Sequence, residues 1–138
     1  MPKAISLMSR VLIPIALAAI SALLLNTLTY LPPDAIPFVG ETLKNSLEIN
    51  VLLAVFNMIP LPPLDGGRVA VGLLPLPFAR GLARTEKYGI LLLLGVMIAL
   101  PWLGSLIGAD LDLFAWIILP IADAVINFIA AAAGLTSV

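Results

Sequence analysis

The sequence predicts an all-α polytopic transmembrane bundle of about four helices, the second of them broken at a proline cluster. Three observations carry this. Of 138 residues, 62% are hydrophobic and only 11% charged, and the mean hydropathy is +1.16, far from the charged surface a soluble domain needs. Four long apolar stretches stand apart along the chain. Between them, "NMIPLPPLDGGRV" (Asn57 to Val69) sets three prolines, an Asp and two glycines into otherwise greasy sequence.

The whole chain, 1–138, reads as a single transmembrane domain. The first stretch runs 11–31. Lys3 and Arg10 precede it and small residues lie within it, as in a secretory leader. The apolar run nevertheless continues to Tyr30, past any cleavage point, so a span is the better reading. The second runs 47–64, with a broken continuation at 69–79 that is too short and proline-rich to cross a bilayer. The third runs 88–108 and the fourth 113–134. The first, third and fourth reach the roughly 20 helical residues a hydrocarbon core requires. Pro14, Pro101 and Pro120 fall inside helices, as bundles tolerate. Tyr30, Tyr88, Trp102 and Trp116 lie near predicted helix ends, where interfacial aromatics belong.

Basic residues set the orientation. Lys3 and Arg10 flank the first helix, and "RGLARTEK" places Arg80, Arg84 and Lys87 between the second and third. The segment from Pro32 to Ser46 reads as a loop with one Lys against Asp34 and Glu41, and the last loop carries Asp110 and Asp112 with no basic residue. A multi-pass cell-membrane protein with both termini cytoplasmic satisfies all of these. The absence of Cys excludes disulfides and thiolate chemistry. The absence of His removes the commonest general base and zinc ligand. A net charge of -1 leaves no footprint for nucleic acid.

Pro60 removes a helix donor and clashes with the preceding turn, and Pro62 and Pro63 hinder resumption. The second helix should stop near Met58 to Pro60. "LDGG" then restarts the chain: Asp65 is a suitable N-cap that could pair locally with Arg68, and Gly66 and Gly67 permit positive φ or close backbone approach. Equally, an ionisable residue at membrane depth marks a functional site, so a cap and a carboxylate facing a polar pocket are both open. Asn57 and Asp65 would sit about 80° apart on a straight helix; the break can bring both to one cytoplasmic-side cleft.

These residues resemble a known motif. Asn57, Pro60, Leu64, Asp65 and Gly66 match, in register, the Asn-x-x-Pro-x-x-x-Leu-Asp-Gly of the site-2 protease family of intramembrane zinc metalloproteases. "RTEKYGILLLLGVMI" resembles the family's continuation of basic loop, Tyr-Gly pair and Leu-rich helix. The resemblance covers about 50–106 and, loosely, the whole chain. It implies that Asp65 is a metal ligand, the third of a zinc site, and that Asn57 is a catalytic residue that holds the substrate or polarises its carbonyl. The implied partners are membrane lipid, transmembrane substrate proteins and a missing N-terminal protease segment.

The departure is equally specific. The family's other two ligands come from His-Glu-x-x-His, whose Glu activates the metal-bound water, and this chain has no His. Zinc is therefore expected only if those ligands are supplied by another segment, because a catalytic site needs three protein ligands. Alone, the chain should not hydrolyse peptides. The two readings are the C-terminal part of such a protease, cleaving transmembrane segments once combined with a His-Glu-x-x-His segment, and an inactive membrane scaffold or binder of transmembrane helices. A small transporter subunit is a weaker third, suggested by the broken helix and by Asp123. Asp123 shares a helix face with Asn127. A charge at the bilayer centre costs ~2.5–3.5 kcal/mol or more, so a structural hydrogen bond to a neighbouring helix is expected for it.

Overall fold

The computed structural model describes residues 2–135, with side chains from Ser9 onward; Lys3 lies outside the latter. Six α-helices follow one another: α1 (Pro2–Leu25), α2 (Ile36–Asn57), α3 (Asp65–Leu73), α4 (Leu76–Arg84), α5 (Gly89–Ile107) and α6 (Leu119–Ala132). Short 3-10 turns at Leu28–Tyr30 and Thr85–Lys87 join them, and a π-helical turn, Phe114–Ile118, leads into α6. No strand occurs among the described residues. The all-helical expectation holds, and so does the interruption after Asn57.

Two helical segments among the described residues, Gly89–Ile107 and Phe114–Ala132, are long and apolar enough to cross a membrane, and Ser9–Leu25 is a shorter apolar helix. The helix α2 begins at Ile36, well upstream of the apolar run that opens at Leu47. Hydropathy marks the greasy part of a helix, not its start. Pro37 is compatible with a first helical turn, and the Thr42 hydroxyl donates to the Phe38 carbonyl at 2.7 Å, so residues 36–46 coil although they carry Glu41 and Lys44.

The chain divides into two compact units, residues 1–55 with 121–138, and residues 56–120. In the first, α1 buries Pro14, Ala18, Ser21, Ala22 and Leu25 along one stripe, while Leu12, Ile13, Leu17 and Ile20 face outward. From α2, Leu47, Val51, Ala54 and Val55 are buried, and from α6 Ala122, Ile129 and Ala130. On α1, mostly small residues inside and large ones outside is the pattern of helices that meet by close backbone approach in lipid; α2 and α6 add larger buried side chains, Leu47, Val51 and Ile129. Polar contacts join these helices. The Ser21 and Ser46 hydroxyls lie 2.9 Å apart, and the Asn26 amide, just past α1, donates to the Ala133 carbonyl, just past α6, at 2.6 Å; within α2, Asn50 donates to the Ser46 carbonyl at 2.7 Å. Asp123 and Asn127, expected to meet a neighbouring helix, are exposed on α6: they lie off the stripe defined by Ala122, Ile129 and Ala130.

In the second unit, α5 ends at Gly108, whose φ of 69° is left-handed. The Ala109 N–H returns to the Gly104 carbonyl at 2.9 Å, a glycine-dependent helix stop. Asp112 then accepts from the Ala115 N–H at 3.0 Å, capping the helical start that follows.

Candidate functional site

The site is the seam between α2 and α3, inside the second unit. Asn57 is the last residue of α2 and Asp65 the first of α3. The prolines leave few N–H donors for the backbone between them, and local turns use those that remain. Ile59 donates to the Phe56 carbonyl at 3.2 Å, Leu61 to Ile59 at 2.8 Å, and Leu64 to Leu61 at 3.0 Å. The Pro62–Pro63 peptide is cis, and Pro62 is fully buried.

Three glycines hold this loop in place. Gly66 lies against the Met58 and Ile59 carbonyls, Gly67 against the Leu61–Pro62 backbone, and Gly89, at the start of α5, against the Pro62 carbonyl. A Cβ at any of the three would overlap backbone atoms. The glycine pair therefore serves close approach, one of the two uses its residue type allows; neither has positive φ. Gly89 makes the Tyr-Gly pair physically intelligible: the α5 N-terminus can meet the loop only where no side chain intervenes. The sequence signal for that role was a lone Gly opening an apolar run, which does not name a partner.

Asp65 is only 6% exposed. It does not occupy the N-cap position expected of it. Leu64 does, with extended φ -66° and ψ 156°, and Asp65 is one step inside the helix. A carboxylate in the first turn still favours the positive helix end. The Arg68 guanidinium donates to a carboxylate on another element, Glu86 Oε1, at 2.6 Å. Arg68 itself is exposed and turned toward the Thr85–Lys87 turn. Asn57 is half-buried, and among the described residues its side chain forms no hydrogen bond. The two residues thus flank one clamped loop, Asn57 at its entrance and Asp65 at its exit.

The donor set does not by itself fit a catalytic zinc. Asp65 offers one carboxylate, and among the described residues no three Asp, Glu, His or Cys side chains come together. Three protein ligands are the minimum for such a centre.

Part of this chain is similar to a bacterial protein named as a metalloprotease. Over 59 residues, 43% of the chain, it is 39% identical to "Putative zinc metalloprotease YwhC" of Bacillus subtilis (strain 168). The match spans about a quarter (26%) of that protein's length. No family model matches the chain, and no solved structure matches it.

Proposed function

We propose that this chain supplies the Asn57–Asp65 portion of a site-2-protease-like membrane metallopeptidase whose remaining ligands lie on a segment carrying His-Glu-x-x-His. In this reading Asp65 contributes one metal ligand, and Asn57 holds the substrate backbone by its side-chain amide. The observation that carries it is a buried carboxylate at the first position of α3, at the end of a loop held by glycines in the register Asn57, Pro60, Leu64, Asp65, Gly66. A surface cap would need neither the burial nor the clamp. Similarity over part of the chain to a protein named as a zinc metalloprotease and the apolar helices support a membrane-located role of this class. The substrate class is the transmembrane segments of other membrane proteins, and both ends of the chain face the cytoplasm.

The second reading, an inactive scaffold that binds transmembrane helices, is favoured by one observation: the donor set is one carboxylate. Co-expression separates the two. The chain is purified with a membrane segment bearing His-Glu-x-x-His, and zinc content and cleavage of a model transmembrane substrate are measured. The protease reading expects the pair to retain zinc and cleave while the chain alone does neither. A stable pair that holds no zinc leaves the scaffold.

A further inference from the structure

We propose that α4 is an interfacial helix that docks the segment before α5 onto an anionic phospholipid leaflet, with Leu73 and Phe78 set among the upper acyl chains and Arg80, Arg84 and Lys87 at lipid phosphates. The position of α4 comes from the chain itself. Between α4 and α5 lie only the Thr85–Lys87 turn and Tyr88, and α5 is long and apolar enough to span. Whatever precedes a span by so few residues lies at the membrane surface.

The helix has two characters. Arg80 and Arg84, one turn apart, form a basic stripe. Phe78 falls roughly 120–160° away from them around the axis. Ala79 is the buried residue of the helix. Phe78 is 68% exposed and Leu73, just upstream, 81%, which is costly in water and natural in an interface. A short helix with separated basic and apolar faces is the form that lies in the headgroup plane.

Charge selects the lipid. The acid nearest to the stripe, Glu86, is engaged by Arg68, so Arg80, Arg84 and Lys87 keep their full positive field. The Lys87 Nζ lies 5.5 Å from the ring centroid of Tyr88, an aromatic of the kind enriched at membrane interfaces. The acids Asp110 and Asp112 lie beyond the other end of α5, about 28 Å away along the helix axis. One end of the span is basic and the other acidic. Anionic headgroups complement the basic end, each cation near such a surface adding about fivefold in affinity.

The test uses the full chain in nanodiscs of phosphatidylcholine and phosphatidylglycerol. Trp102 and Trp116 are changed to Phe, and Phe78→Trp reports depth; Leu82→Trp, one turn on along the same face, is the second reporter if the first perturbs folding. Spin-labelled phosphatidylglycerol should quench residue 78 more strongly than equally labelled phosphatidylcholine. Arg80→Gln, Arg84→Gln and Lys87→Gln together should abolish that preference and leave quenching by phosphatidylcholine. Raised salt should act in the same direction on the chain with its charges intact, which keeps the test decisive if the triple variant does not fold. Equal quenching by both lipids at low salt overturns the anionic selectivity. No quenching by either places α4 away from the bilayer and overturns the proposal.

Discussion

Gly89 rests against the carbonyl of Pro62, so closely that one methyl group on Gly89 would overlap it. The contact joins the first residue of the apolar helix α5 to the middle of the loop between Asn57 and Asp65. The geometry of the candidate site is therefore set partly from a helix that contributes no functional side chain to it.

Gly89→Ala should destabilise the protein by about 1–3 kcal/mol, the cost of forcing atoms into filled space. Gly95→Ala, in the same helix with nothing near its missing Cβ, should be neutral or stabilise by up to ~1 kcal/mol, because Ala is the better helix former. Thermal unfolding of the two variants in detergent checks the contrast, and equal midpoints would disprove the clamp.

At the site, the two flanking residues should separate by readout. In the co-purified pair, Asp65→Asn should lower zinc content, since a neutral amide is a much poorer ligand than a carboxylate, and Asp65→Ala should be at least as severe. Asn57→Ala should keep the zinc and reduce cleavage, because its proposed contact is with substrate. Full zinc occupancy with Asp65→Ala would leave Asp65 as a helix-end charge.

The Arg68–Glu86 pair should contribute little. Its side chains are 46% and 45% exposed, and a double-mutant cycle should give a coupling of about 0.2–1 kcal/mol that shrinks as salt rises. A value several times larger would mean that the pair is shielded from solvent in the membrane.

Between α1 and α2, the Ser21–Ser46 contact should be worth about 0.6 kcal/mol, with ~1.7 as an upper bound, as for interhelical hydrogen bonds in membranes. A Ser21→Ala, Ser46→Ala cycle measures it. No coupling would show that the small-residue stripe alone holds these helices.

What could be read from the sequence follows the range of the forces involved. The helix break was legible because proline acts on its own turn; Gly108 closed the third apolar run, but its left-handed stop was not read from it. The start of α2 was not legible, since Glu41 and Lys44 hide a helix from a hydropathy reading. Arg68 pairs with Glu86 on another element, and neither propensity nor periodicity encodes that distance. Asn57 and Asp65, expected in one cleft, lie at the two ends of one loop. The Leu64 cap and the Gly89 contact depend on how the loop folds back, which no local rule gives. Asp112 passed as one of two loop acids, although Asp three residues before a helical N–H is a recognisable cap.

The hydrogen bond from Asn26 to Ala133 has a consequence for biosynthesis. It closes the first unit using residues from both ends of the described chain, with residues 56–120 emerging between them. A chain made from its N-terminus at about 5–20 residues per second exposes α1 and α2 several seconds before α6 exists. The two can join early through Ser21 and Ser46, and the glycine-clamped loop can set while synthesis continues. The unit holding α1 is sealed last, so the stripe that awaits α6 is the surface a nascent chain must shield longest.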